Sequence, residues 1–94
     1  MPKFLLEVYV ATAAEADAEV LATRARDAAR GLSAAGRPVR CLQSILVAED
    51  ETCFLLFEAA SAEDVRDLVE RAELPLGRIS GAVTDDACPA GGRT

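Results

Sequence analysis

The 94-residue sequence contains no histidine. Histidine is the side chain that most often serves as a general base near neutral pH and as a ligand of transition metals. The cysteines Cys41, Cys53 and Cys88 are odd in number and have no Cys-x-x-Cys spacing, which argues against a disulfide framework and a zinc site. We therefore expect reduced thiols and neither a metal nor another cofactor.

Basic charge and long apolar runs are also scarce. The formal net charge is −6, so the chain lacks the clustered Lys and Arg that neutralise nucleic-acid phosphates. No apolar run approaches the roughly 18 residues of a membrane span. Residues 1–4 lead directly into a strand pattern instead of a signal peptide. We expect a cytoplasmic protein whose partners include neither nucleic acid nor a membrane.

Leu, Val, Ile and Phe are numerous enough for one hydrophobic core, and 94 residues are too few for a second. Alternation of period two is typical of strands, and apolar stripes with spacing of three and four residues are typical of helices. A capping-box spacing at Thr12–Glu15, and a second at Ser61–Asp64, mark the two helix starts. The predicted elements are a strand at 3–11, a helix from Ala13, strands at 39–48 and 52–59, a helix after Ser61 and a strand at 78–84.

The order β-α-β-β-α-β predicts a ferredoxin-like α+β domain over residues 1–84, with a four-stranded antiparallel sheet and both helices on one face. Residues 85–94 lack periodicity and predict a flexible tail. The run Phe54-Leu55-Leu56-Phe57 places two large apolar residues on each face of its strand, so neither face suits water. If such side chains remain exposed to solvent, several kcal/mol of apolar burial free energy is not gained, at about 25 cal/mol per Å². We expect a homodimer that stacks two sheets around an apolar cavity.

Glu7 and Tyr9 point together toward the helix-free face, and Gln43 joins them if the second strand shares that phase. A buried carboxylate has a raised pKa and transfers protons near neutrality, while a phenol and an amide polarise a carbonyl. These three residues are the candidate ligand-binding set, and Glu7 with Tyr9 is the candidate catalytic pair if the protein is an enzyme. The structural alternative is that Glu7 pairs with an arginine across the dimer interface and Tyr9 anchors it.

Two other clusters have a chemical and a structural interpretation. Cys41 and Cys53 on adjacent strands suit a soft metal or a redox couple, yet small buried hydrophobes are the simpler interpretation because no nearby base would lower their pKa. Asp85 and Asp86, with the acids at 49–51, suit a hard cation such as calcium. Neither run has EF-hand spacing, so solvated charge is the preferred interpretation.

Several short motifs lie across residues 2–84. They are Pro2-Lys3-Phe4-Leu5, Arg37-Pro38-Val39-Arg40, Cys41-Leu42-Gln43-Ser44-Ile45, Phe57-Glu58-Ala59, Glu63-Asp64-Val65, Arg71-Ala72 to Pro75, and Arg78-Ile79. Together these motifs resemble the small DUF4242 proteins, known as nickel-binding proteins. The resemblance implies a ferredoxin-like, usually dimeric subunit, with metal-binding histidines in some members. Gln43 lies in the segment where members typically have Trp-x-His-Ser-Tyr, and the family's second-helix histidine falls at Leu68 or Val69, so nickel binding is not expected.

Three functions remain open at the level of sequence. The first is a small-molecule-binding or accessory protein, a homodimer whose cavity presents Glu7, Tyr9 and Gln43 to a small apolar ligand. The second is a cofactor-free enzyme, an isomerase, cyclase or monooxygenase-like catalyst in which Glu7 moves a proton and Tyr9 orients the substrate. The third, family-type nickel binding, is the least compatible with a chain that lacks histidine.

Overall fold

The computed structural model of the chain describes residues 1–10, 15–75 and 77–84. Its strands form one antiparallel sheet in the order β2-β3-β1-β4. The predicted α+β architecture of a four-stranded antiparallel sheet with two helices is confirmed. The elements are β1 (Lys3–Tyr9), α1 (Glu15–Ala34), β2 (Val39–Val47), a 3-10 turn (Ala48–Asp50), β3 (Thr52–Ala59), α2 (Ala62–Arg71) and β4 (Arg78–Ala82).

Several predicted boundaries need correction. β2 ends at Val47 because the chain enters the 3-10 turn, which closes at Glu51 with a left-handed φ of 50°. β4 ends at Ala82, the partner of Lys3. β1 ends at Tyr9 instead of residue 11. The predicted helix start at Ala13 and the tail at 85–94 lie outside the described residues.

Local signals position both helices. Ser61 caps α2 by accepting a hydrogen bond from the Asp64 amide at 3.4 Å. α1 is followed by Gly36 at a left-handed φ of 86°, and the Arg37 amide donates to the Leu32 carbonyl at 2.9 Å, the Schellman pattern that a glycine after a helix favours. α2 therefore begins at its predicted cap, and α1 is followed by a local motif that its glycine favours.

The hydrophobic core lies between the helices and one face of the sheet. No polar or charged residue among the described residues is buried in this core. The helices therefore cover one face of the sheet with apolar side chains and leave the other face uncovered. In the part of the chain that the structure describes, no helix is long and apolar enough to cross a membrane. The largest fully buried side chains are Leu6, Val8, Leu32, Val39, Cys53, Leu55, Phe57, Val65 and Leu68.

A β-bulge in β2 sets the phase of that strand. Cys41 pairs with Phe57, whereas Gln43 pairs with Leu56, so one extra residue is inserted between them. Phe57 faces the helices and its neighbour Leu56 faces away. Cys41 therefore packs toward the core, and Gln43 lies on the opposite face although it is only two positions further along the strand.

Candidate binding face of the sheet

The sheet has one face without helices, which we call the open face. Side chains directly opposite each other in an antiparallel sheet share a face, so the register identifies its members in rows. Row one is Arg40, Glu58, Lys3 and Ala82; row two is Gln43, Leu56, Leu5 and Ser80; row three is Ile45, Phe54, Glu7 and Arg78; row four is Val47, Thr52 and Tyr9.

The centre of the open face is apolar. Leu5, Phe54 and Leu56 are half-buried, and Ile45 is 46% exposed. By contrast, Leu55 and Phe57 of the same β3 strand are completely buried beneath the helices. As predicted, the run at 54–57 supplies two apolar residues to each face. A contiguous apolar patch in contact with water typically marks a site of association or ligand binding.

Glu7 lies at the edge of the apolar centre. It is half-buried, and its cross-strand neighbours are Phe54 on β3 and Arg78 on β4. The sequence prediction did not identify Arg78, because a pairing between β1 and β4 has no local sequence signal. β4 approaches closely here: a Cβ atom on Gly77 would lie 2.0 Å from the Glu7 carbonyl oxygen. Glycine at 77 therefore allows Arg78 to pair beside Glu7.

Tyr9 is 64% exposed at the end of the open face. Its hydroxyl donates a hydrogen bond to Oε1 of Glu51 at 3.2 Å. This hydrogen bond, together with the negative charge of Glu51, raises the pKa of Tyr9. The phenol stays protonated and donates its only proton to Glu51, so its oxygen remains to accept a hydrogen bond from a ligand. Sequence analysis missed Glu51 as a partner because the contact depends on the turn before β3.

The three predicted site residues share the open face but do not all meet. Glu7 and Tyr9 are successive side chains on the same face of β1. Gln43 lies on β2, with β3 between them, so about two strand spacings, or roughly 10 Å, separate it laterally from β1. A ligand that contacts both Gln43 and Glu7 must therefore lie across Leu56 or Phe54.

The thiols lie on the helix side of the sheet. Cys53 is completely buried and Cys41 is half-buried against the core, and burial raises the pKa of both. They are on adjacent strands but are not cross-strand partners, since Cys41 faces Phe57 and Cys53 faces Leu46. Among the described residues, no cluster of three or more Cys, Asp and Glu side chains is arranged to hold a metal ion. Cys88 and the acids at 85–86 lie outside the described residues.

Two grooves of the single chain lie away from the open face. One runs between α1 and β2, where Arg26, Ser33 and Cys41 form part of its lining. Another lies between α2 and β4, beside Val69 and Ile79. The apolar centre of the open face has no roof of its own among the described elements, so an enclosed site there requires a second layer of protein.

No protein-family model, curated protein or solved structure matches the chain. The resemblance to DUF4242 proteins is accordingly neither supported nor refuted. The geometry of the open face is the basis on which a function can be proposed.

Proposed function

We propose that this chain is a small-molecule-binding or accessory protein that works as a homodimer, with two open faces stacked around an apolar cavity. The observation that carries this proposal is the apolar centre formed by Leu5, Ile45, Phe54 and Leu56 on the face without helices. The element order and the strand order β2-β3-β1-β4 support assignment to the ferredoxin-like class.

The size of the open face favours a second copy as its cover. Strand spacings of about 4.8 Å and rises of about 3.3 Å per residue give a face of roughly 19 by 23 Å. Its projected area is thus about 440 Å² before side-chain relief is added, and a standard specific interface buries about 800 Å² of accessible surface per partner. Each face therefore supplies about half of the standard area before side-chain relief is added, which suits the small and weak end of specific interfaces.

The size of the apolar centre predicts a weak dimer with a measurable dissociation constant. If about 200 Å² of apolar surface becomes buried on each copy, the gain is on the order of 10 kcal/mol at about 25 cal/mol per Å². The loss of rigid-body freedom costs about 4–15 kcal/mol. Because the two quantities are comparable, we expect a dimer that dissociates on dilution and that a ligand in the cavity stabilises by mass action.

The polar groups of the cavity define the ligand that it would take. Hydrogen-bonding groups surround the apolar centre of the open face. They belong to the neighbours Glu7 and Arg78, to Tyr9, and to Gln43 on the other side of β3. We propose a small, mostly apolar ligand with one polar group that these residues orient. The DUF4242 resemblance, which implies usually dimeric subunits, agrees with this proposal. Gln43, where that family typically has a histidine, favours ligand binding over nickel binding. The free thiols of Cys41 and Cys53 suit a cytoplasmic protein.

Glu7→Gln tests this proposal, because the amide keeps the shape of the side chain and removes its charge. In a thermal-shift screen of small apolar compounds with one hydrogen-bonding group, we expect compounds that stabilise the parent chain and fail to stabilise the variant. The dimer itself should persist. Glu19→Gln, at an exposed position of α1, is the matched control and should retain the shifts. Unchanged shifts in Glu7→Gln would remove Glu7 from the site, and a parent chain that no compound stabilises would contradict ligand binding.

A further inference from the structure

The two ends of the open face differ in charge. Row one carries the bases Lys3 and Arg40 with a single acid, Glu58, which forms an ion pair with the exposed Arg40 at 3.5 Å and leaves one net positive charge. The opposite end has Glu7 in row three and the acidic turn at residues 49–51, against one base, Arg78. The apolar centre separates the two ends. A basic end and an acidic end on one face make the face self-complementary in one orientation only.

A homodimer with twofold symmetry can stack two such faces in two ways that keep the strands of both sheets aligned. If the axis runs along the strands, the basic ends of both copies lie together and the acidic ends lie together. If the axis runs across the strands, the basic end of each copy lies over the acidic end of the other. Like charges brought together across an interface weaken it, whereas complementary charges favour encounter and fix the orientation.

We infer, on the basis of the proposed homodimer, that the two copies stack with opposite ends together, so that each polar end of the cavity is built from both chains. In this orientation Lys3 of the partner subunit lies over Tyr9 and its acceptor Glu51, and Arg40 of the partner subunit lies over the acidic turn. At each polar end of the cavity, one chain therefore supplies the acidic half and its partner supplies the basic half.

Cross-linking tests the orientation directly. In a background with all three cysteines replaced by alanine, Lys3→Cys chains are mixed with Tyr9→Cys chains and treated with a bis-maleimide that spans about 10 Å, the spacing of packed sheets. Opposite-end stacking predicts a cross-linked heterodimer from this mixture. The comparison mixture is Lys3→Cys with Glu58→Cys, positions in row one of both copies, which become close only when like ends meet. Preferential linking of this second mixture would overturn the inference.

Charge reversal supplies a second measurement. We expect Lys3→Glu with Arg40→Glu, or Glu49→Lys with Glu51→Lys, each to raise the dimer Kd about tenfold at low salt. The four changes combined should return the Kd to within about threefold of the parent chain, as coupled sites do in a mutant cycle. Thermal denaturation verifies that each variant folds, and Lys3→Ala is a milder variant with the same expected direction.

The outcomes distinguish the inference from the proposed function. Arg24→Glu with Arg71→Glu changes the same amount of charge on the helices and should leave the Kd unchanged. If the combined variant shows the summed increase in dimer Kd of the two double variants, instead of a Kd close to that of the parent chain, opposite-end stacking is refuted. The proposed dimer itself is not refuted by that result. A parent chain that sediments as a monomer up to high concentration would refute the proposed dimer and this inference together.

Discussion

The two phenylalanines of β3 provide a matched test of what covers the sheet. Phe57 is completely buried under the helices, whereas Phe54 lies half-buried on the open face. Replacing Phe54 by threonine, a good strand former, removes apolar surface from the proposed interface and little from the core of the single chain. We expect Phe54→Thr to leave each subunit folded and to weaken the dimer.

The size of this effect follows from burial. Full burial of a phenylalanine side chain contributes about 1.5–3 kcal/mol, and roughly half is already gained within the chain, which leaves about 0.75–1.5 kcal/mol for the interface. Twofold symmetry doubles this loss, so the dimer Kd should rise about 10- to 150-fold at 1.4 kcal/mol per factor of ten. Sedimentation velocity over a dilution series measures the Kd, and urea denaturation at low protein concentration measures the stability of the subunit.

The matched control is Phe57→Thr on the other face of the same strand. Because Phe57 has no exposed surface, we expect its loss to lower the free energy of unfolding of the subunit by about 3–5 kcal/mol, the usual range for emptying an aromatic core site. An unchanged dimer Kd in Phe54→Thr would refute the reasoning, because it would show that the open face is not the interface. Equal destabilisation of the subunit by both variants would show that the open face is covered by the chain itself.

Two further outcomes follow from the backbone and from the thiols. Gly77→Ala should destabilise the chain by at least about 2 kcal/mol, since its Cβ would collide with the Glu7 carbonyl. Gly31→Ala, in open space within α1, should instead stabilise the chain by about 0.5–1 kcal/mol. Urea denaturation in which the midpoints of both variants shift in the same direction would contradict this. Burial raises the pKa of Cys41 and Cys53. The folded chain therefore retains thiol protons that the unfolded chain releases above a pH of about 8.5. The free energy of unfolding should fall as the pH rises beyond that value, and the thiols should not affect it at lower pH. Denaturation at several pH values should show that the free energy of unfolding falls less steeply at alkaline pH when both cysteines are replaced by alanine. An identical fall in that variant would exclude the thiols as the cause of the pH dependence.

Local patterns in the sequence predicted the elements well. β3 has the predicted bounds, and α2 begins after the predicted cap at Ser61. α2 buries Val65, Leu68 and Val69, which have the three- and four-residue spacing of an apolar helix stripe. The alternation in β1 also separated Leu6 and Val8, which face the helices, from Leu5 and Glu7. These features depend on the spacing of residues close together in the chain, where periodicity and capping chemistry act.

The features that sequence could not provide depend on pairing between distant segments. The bulge at Cys41 and Gln43 decides the phase of β2, yet neither residue type marks a bulge. The neighbours Arg78 and Glu51 reach Glu7 and Tyr9 only through the register of β4 and the turn before β3. The sequence does not identify a ligand, because the proposed cavity is one that a single chain does not enclose.

The irregular step in β2 has a consequence for how copies of this chain meet. β2 is the outermost strand on its side of the sheet, and a regular outer strand is a template to which another chain can add indefinitely, as in fibrils. The extra residue interrupts the even spacing of amide and carbonyl groups along that strand, and such interruptions are a common protection against lateral growth. In the proposed homodimer, copies meet instead through the flat side of the β-layer, where two molecules complete each other and assembly stops.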